Sequence, residues 1–159
     1  MWPVEQLFAA ILASTFATQQ ASAQSNEIQP IQCVASSNQG LGEVWDRYVT
    51  GLRQGDLVRL RSVFADQGNF HVLATPAGSG VETMSVQPFS EALPAWIANP
   101  DATANGSIGT MTVDYNMAII RGTLDFGSSR FADVLSLYCV NGRWQIVGKL
   151  TFVRERQSR

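Results

Sequence analysis

The chain has 159 residues, a formal net charge of −2, 45% apolar residues and 15% charged residues. This length fits one domain with its own core, and the apolar fraction is too high for a disordered chain. The charge argues against a nucleic-acid-binding protein, because such proteins need clustered basic side chains to neutralise phosphates. One His and two Cys offer little material for a metal site, and we predict neither a metal nor a cofactor.

Residues 1–23 have the pattern of a secretory signal peptide. An apolar run over residues 7–17 is followed by the small-x-small sequence at residues 21–23. The run is too short to span a bilayer, and Cys33 lacks the context of a lipoprotein attachment site, so we expect no membrane anchor. A buried N-terminal helix is the alternative, because the segment contains Glu5 and no basic residue. The signal predicts a secreted or periplasmic protein.

Both cysteines, Cys33 and Cys139, lie after the predicted signal. Two cysteines in an oxidising compartment often pair, yet the spacing supports a disulfide and two free thiols equally. A bridge would close a loop of roughly 100 residues, for which the chain-entropy model gives about 4–5 kcal/mol.

Residues 24–41 are polar and rich in Ser and Gln, which predicts a linker or extended lead-in. A first helix begins near Leu41, with Val44, Tyr48 and Leu52 on one apolar stripe.

A second helix is predicted from the N-cap Asp56 to a stop at Gly68-Asn69. Leu57, Leu60 and Phe64 share one face of this helix.

The middle of the chain predicts a short strand at 70–73, a turn at 76–80 and a return strand at 81–84. A third helix follows at about 88–97, and its apolar face consists of Phe89, Leu93 and Trp96.

The last third predicts four antiparallel strands, with Asn141-Gly142 as the strongest hairpin signal and two-residue loops at 115–116 and 128–129. Pairing through these loops puts the apolar side chains of all four strands on one inner face. A strongly curved, mostly antiparallel sheet wrapped around the three helices buries every apolar face, which predicts an α+β fold. The predicted strands are 106–114, 117–126, 130–140 and 143–153.

Asp133 is the exception on the inner face, where the predicted pairing puts it opposite Leu124. A carboxylate there must be paired, become neutral or line a cavity, so a structural Asp and a general base both remain open. Lys149 falls opposite Val134 on the outer face, and we interpret it as structural or interfacial.

Two segments resemble a known family. Tyr48-Val49-Thr50-Gly51 is similar to the opening of a nuclear-transport-factor-2-like (NTF2-like) domain. Residues 133–149 resemble the closing hairpin of its "Putative lumazine-binding" branch, in which an Asp opens the strand, a D/N-G turn follows, and Trp-x-Ile and a Lys come last. The resemblance covers about 42–153 and leaves 154–159 as a tail. It implies a cone-shaped α+β barrel with an inner cavity, often dimeric through the outer face of the sheet.

The superfamily contains ketosteroid-isomerase-like and SnoaL-like enzymes as well as binding modules, so the fold alone does not assign a function. We expect a domain that binds a small, largely apolar molecule in the cone, without established catalysis. The first alternative is an isomerase, cyclase or dehydratase that uses Asp133 and the sole histidine, His71, as acid–base groups. For His71, an ordinary exposed or packed position is the alternative.

A structural homodimer is the second alternative, with Val134, Ser136, Tyr138 and Val147 at the interface. The predicted cavity residues, each with core packing as the alternative, are Tyr48, Phe64, Trp96, Met111, Leu124, Leu135 and Trp144.

Overall fold

The computed structural model describes residues 28–155 apart from positions 35 and 77, so the predicted signal peptide lies outside the described residues. Within these ranges no helix is long and apolar enough to cross a membrane. The described chain forms, in order, α1 (Leu41–Gln54), α2 (Leu57–Arg61), β1 (Phe64–Ala74), β2 (Thr83–Pro88), α3 (Phe89–Trp96), β3 (Asn105–Asp114), β4 (Met117–Phe126), β5 (Ser129–Val140) and β6 (Arg143–Glu155).

The six strands form one sheet in the order β2-β1-β6-β5-β4-β3. Strands β1 and β6 are parallel, and the other four neighbouring pairs are antiparallel. The core lies between the helices and one face of this sheet, where side chains of α1 pack with those of β4, β5 and β6. The predicted α+β fold with a mostly antiparallel sheet is confirmed; the sheet is open, with β2 and β3 as its edges.

Helix α1 ends at Gly55, which adopts a left-handed conformation with φ of 66°. Asp56 then caps α2 by accepting a hydrogen bond from the Arg59 amide at 2.9 Å. The two helices are in close contact because Gly51 has no side chain: a Cβ there would lie 2.5 Å from Leu60.

The second helix is shorter than the sequence predicted. It ends at Arg61, and Phe64 already belongs to β1, where it pairs with Ile146 of β6. Phe64 is buried against Phe89, with ring centroids 4.8 Å apart. Its spacing from Leu60 suits a helix, but pairing with β6 and burial of the ring outweigh that local pattern.

The Asn141-Gly142 hairpin is confirmed, and both residues have positive φ, 51° and 73°, as a type I′ turn requires. The β4–β5 loop is at 127–128 instead of 128–129, so Asp133 lies opposite Gly122. This error shifts the pairing by two residues and leaves the inner and outer faces unchanged, because side chains alternate with a period of two.

Strand β6 contains a bulge that the sequence analysis missed. Leu137 pairs with Ile146, whereas Ser136 pairs with Gly148, so Val147 is the extra residue. The bulge inverts the faces of the rest of β6. Lys149 is therefore buried on the inner side, and its predicted outer-face position is wrong.

A similar irregularity occurs at Gly109 in β3. Ile108 instead of Gly109 takes the inner position, opposite Gly122. Gly122 in turn allows Trp45 of α1 to pack directly on the sheet, since a Cβ at Gly122 would lie 2.5 Å from the indole.

The lead-in before α1 is attached to the sheet. Cys33 and Cys139 form a disulfide with their Cα atoms 6.0 Å apart. Ile31 is buried in the core, and Gln32 forms an isolated bridge with Arg143 of β6. The segment is thus anchored at the β5–β6 hairpin.

Candidate functional site

A buried polar cluster lies where α1 crosses the inner faces of β5 and β6. Asp133 of β5 is at its centre and accepts three hydrogen bonds. Lys149 Nζ and the Thr151 hydroxyl, at 2.7 Å, donate to Oδ1, and the Tyr48 hydroxyl donates to Oδ2 at 3.0 Å. Lys149 also donates to Thr151 Oγ1 at 2.5 Å. Both oxygens of the carboxylate are therefore satisfied by protein groups.

Asp133 and Lys149 are each 2% exposed and form an ion pair. Burial lowers the pKa of Lys149 below its ordinary value, and the negative charge of Asp133 opposes this shift. Burial, together with the same carboxylate, raises the pKa of Tyr48 well above its ordinary value. Tyr48 therefore stays protonated and acts as a hydrogen-bond donor throughout the neutral range.

A cavity of about 110 Å³ lies beside this cluster. Most of its wall is aromatic or aliphatic, and Lys149 is its one charged lining residue among the described residues. The lining residues are Tyr48, Leu52, Phe70, Trp96, Leu124, Phe126, Phe131 and Lys149.

Aromatic rings surround the Lys149 ammonium group on its cavity side. Its Nζ lies 5.4 Å from the Tyr48 centroid, 5.3 Å from Phe70 and 5.8 Å from Trp96. Trp96 meets Phe70 edge to face, with centroids 5.0 Å apart. Phe64 lies behind this wall, 5.5 Å from Tyr48 and 5.7 Å from Trp96, and supports both rings from the core.

Three of the predicted cavity residues, Tyr48, Trp96 and Leu124, line the cavity. Trp144 does not, because its indole donates to the Gln39 carbonyl at 2.9 Å next to the disulfide. The other predicted residues that pack in or against the core instead are Phe64, Met111 and Leu135.

The structure does not bring His71 to the cavity. Phe70 faces the cavity, so strand alternation places His71 on the outer face, beside Val86 and the exposed Leu150. This corrects the prediction of His71 as an acid–base residue of the pocket. Asp133 is buried at the site but is not among the cavity-lining residues; Tyr48 and Lys149 of its own cluster are.

The sequence analysis missed Lys149 together with four apolar lining residues, Leu52, Phe70, Phe126 and Phe131. One signal was present in the sequence. Asp133 and Lys149 are the only charged residues in the stretches 131–140 and 144–153, which pair with each other, and buried charges need partners.

Across the part of the chain that the structure describes, no three His, Cys, Asp or Glu side chains come close enough to hold a metal ion. The expectation of no metal and no cofactor stays a prediction.

The sequence model of one family, described as "Putative lumazine-binding", matches residues 36–151. The chain belongs to this family. The matched range of this Putative lumazine-binding domain includes the whole buried cluster, and the predicted resemblance is confirmed. No curated protein matches the sequence.

Solved structures share the fold. An NTF2-like protein of unknown function from Silicibacter pomeroyi DSS-3 has a TM-score of 0.62 and 21% identity, over 72% of this chain and 92% of that one. One from Shewanella baltica OS155 has a TM-score of 0.61 and 23% identity, over 73% and 92%. One from Methylobacillus flagellatus KT has a TM-score of 0.63 and 15% identity, over 80% and 99%. At these identities the likeness shows the fold alone.

Proposed function

We propose that this domain binds a small, largely apolar molecule in the cavity and that an oxygen atom of this molecule accepts a hydrogen bond from Lys149. The observation that carries the proposal is a single charged group in a wall of aromatic and aliphatic side chains. Such a wall holds an apolar body, while one well-placed polar group sets its orientation.

The volume of the cavity limits the size of the buried part of the ligand. An apolar cavity of roughly 150 Å³ holds benzene, and the cavity here has about 110 Å³. The buried part of the ligand is therefore no larger than one ring or a short branched chain. Phe126 and Phe131 line the cavity and are partly exposed, so a larger ligand would extend past these two rings.

The hydrogen bonds of Lys149 favour an oxygen acceptor. An ammonium group has three N–H donors. Among the described residues two of them have partners, Asp133 and Thr151. The third is available to a ligand, and a hydroxyl, carbonyl or ether oxygen supplies an acceptor without adding charge to the site.

The proposal assigns no chemical conversion to Asp133. Its two oxygens accept hydrogen bonds from Tyr48, Lys149 and Thr151, and the residue does not line the cavity. Its role in the proposed site is to position the Lys149 and Tyr48 side chains that line the cavity.

Calorimetric titration with benzyl alcohol and toluene tests the proposal. These two probes share one ring and differ in the oxygen-bearing group. We expect benzyl alcohol to bind more tightly, because only its oxygen can accept from Lys149. Failure of both probes to bind, or equal binding of both, would contradict the proposed orientation.

We also propose that the protein is secreted or periplasmic. The pattern of residues 1–23 supports this, and so does the Cys33–Cys139 disulfide, because disulfides persist mainly in oxidising compartments. Mass spectrometry of the exported protein is expected to find Gln24 as the first residue. Retention of residues 1–23 in that protein would contradict the proposal.

Homodimerisation through the outer face of the sheet is a further proposal. Met117 and Tyr138 are 46% and 47% exposed there, beside a groove that Ile119, Ser136 and Val147 also line. Large apolar side chains exposed together on one face are typical of protein interfaces.

A further inference from the structure

We propose that Lys149 forms a reversible imine with an aldehyde or ketone group of a ligand in the cavity, which makes the cavity a covalent carbonyl-binding site. This inference rests on the proposed function, since it uses the same apolar seat for the body of the ligand. It adds the chemical class of the ligand and a bond between ligand and protein.

Geometry places the amine where a carbonyl carbon would come to rest. Lys149 lines the cavity, and its Nζ lies 5.3 to 5.8 Å from the centroids of three cavity-lining rings. An aryl or alkyl carbonyl compound with its apolar part against these rings presents its polar end to Nζ. Water competes poorly in such an apolar pocket, and this favours the imine over its hydrolysis.

The surroundings of Lys149 also favour release of a proton from its ammonium group, which leaves a nucleophilic amine. An amine in an apolar pocket is activated as a nucleophile because burial disfavours its charged form. Burial lowers the pKa of Lys149 in this way. Asp133 is hydrogen-bonded directly to Nζ and can accept the proton that the ammonium group releases.

Tyr48 can pass on the proton that Asp133 takes up. Its hydroxyl donates to Asp133 at 3.0 Å, and its side chain lines the cavity. A proton taken up by Asp133 can therefore return through Tyr48 to the oxygen of the addition product. Nucleophile, base and acid are thus hydrogen-bonded to one another in a single cluster.

The reaction balances without a further reactant. The Lys149 ammonium group loses a proton to Asp133, and the free amine adds to the carbonyl carbon. The carbonyl oxygen then leaves as water, carrying two of the three ammonium hydrogens. The third remains on the iminium nitrogen, whose positive charge faces the Asp133 carboxylate. The ion pair is therefore kept, and hydrolysis by one water molecule reverses the sequence.

The composition of the chain makes the test direct, because Lys149 is its one lysine. In the full chain beginning at Met1, the competing primary amine is the N-terminal α-amine. An ordinary lysine at pH 7 has roughly two orders of magnitude less free amine than an α-amino group. A lysine without activation would therefore be labelled after the N-terminus.

The experiment treats the folded protein with benzaldehyde and cyanoborohydride at pH 7, and measures labelling by tryptic peptide mapping. Benzylation of Lys149 blocks cleavage and joins residues 144–149 to 150–154 in one peptide. We expect Lys149 to be labelled at least about tenfold faster than the α-amine, the reverse of the order for ordinary amines. Benzyl alcohol at saturating concentration should slow labelling of Lys149 alone.

Two results of this labelling experiment would overturn the imine. One is faster labelling of the α-amine in a protein that binds benzyl alcohol, which leaves the proposed function intact. The other is fast Lys149 labelling that benzyl alcohol does not slow, which places the reactive amine outside the cavity. Absence of benzyl alcohol binding counts against the proposed function, wherever the label appears.

A control in urea separates activation by the fold from any effect of local sequence. In the unfolded chain Lys149 should lose its preference, and the α-amine should be labelled first. A Lys149 preference that persists in urea would also overturn the proposal. This control needs no substitution, so the test does not depend on whether a Lys149 variant folds.

Discussion

Lys149 faces Asp133 because strand β6 contains one extra residue. Without the bulge at Val147, strand alternation would put Lys149 on the outer face and leave the Asp133 carboxylate buried without its cation. The bulge brings Lys149 Nζ to Asp133 Oδ1 and to the wall of the cavity. One backbone irregularity thus provides both the stability of the cluster and the polar group of the proposed site.

Replacement of Asp133 by Asn is expected to destabilise the fold strongly. Asn keeps the shape of the side chain but leaves the Lys149 charge without its partner, and breaking a buried pair on one side costs about 3–5 kcal/mol. Urea unfolding followed by far-UV circular dichroism measures the change in the free energy of unfolding.

The matched control removes both charges, as Asp133→Leu with Lys149→Met. An apolar pair leaves no uncompensated charge, so the double variant should be more stable than Asp133→Asn. If the double variant is less stable than Asp133→Asn, the attraction within the ion pair contributes more to the free energy of unfolding than the cost of one uncompensated charge.

Stability should fall at alkaline pH because of Tyr48. Its pKa is raised in the folded state, so above about pH 10 the unfolded chain has lost this proton while the folded chain retains it. Tyr48 therefore stabilises the fold below that pH, and its contribution is lost as the pH rises toward its folded pKa. Lys149 affects stability in the opposite direction. Its pKa is lowered in the folded state, so between that lowered pKa and about pH 10.4 the unfolded chain holds a proton that the folded chain has lost. In this range the Lys149 contribution to stability rises with pH.

Comparison with Tyr48→Phe isolates the tyrosine effect, since Lys149 is present in both proteins. The variant should lose about 1.5–3 kcal/mol at pH 7, the contribution of a hydrogen bond to a charged group. The difference between the two proteins should shrink above pH 10, as measured by urea unfolding from pH 7 to 11. A constant difference across that range would contradict the raised pKa.

Much of the fold could be predicted from the sequence because strand alternation is a strong signal. The inner faces of β4, β5 and the first half of β6 followed from hairpin loops, and the error at the β4–β5 loop left them intact because it amounted to two residues. The end of α2 was not predictable from local spacing alone. Phe64 fits a helical face, and its pairing with Ile146 is a long-range contact.

The site was harder to predict than the fold. Asp133 was identified as the exception on the inner face, but its partner was placed on the wrong side because a single bulge inverts every later side chain. Phe126 ends β4 and Phe131 lies near the start of β5, where both line the cavity. A cavity wall has no periodic pattern that distinguishes it from the core. Such residues are identified once the packing is known.

Filling the cavity should weaken ligand binding. Leu124 is buried and lines the cavity, so Leu124→Phe puts a larger ring into about 110 Å³. We expect benzyl alcohol affinity to fall at least about tenfold, a change of about 1.4 kcal/mol in binding free energy. Leu150→Phe is the control, because it makes the same change at a residue that is 54% exposed on the outer face. Equal losses in both variants would count against the cavity as the binding site.

Removal of the disulfide should destabilise the protein by about 2–5 kcal/mol. The bond joins residues 106 positions apart and fixes the lead-in to β5. Cys33→Ser with Cys139→Ser is compared with the wild type by thermal unfolding, with the reduced wild type as control. The reduced protein should match the double variant; no loss in either would show that the bridge adds no stability.

The outer face is expected to mediate dimerisation. Glu in place of Met117 and Tyr138 brings like charges together in a symmetric interface, so sedimentation should show a dimer for the wild type and a monomer for the variant. Val58→Glu is the control, since Val58 is 67% exposed on α2, away from the sheet. A monomeric wild type would contradict the proposed dimer.

The most direct test of the site follows the one lysine of the chain by NMR. Protein labelled with ¹³C at lysine Cε gives one lysine resonance, from Lys149. The account predicts that its titration midpoint lies below the ordinary lysine pKa and that benzyl alcohol shifts the resonance saturably. A resonance that titrates at the ordinary value and does not respond to bound benzyl alcohol would contradict a cavity site built around Lys149.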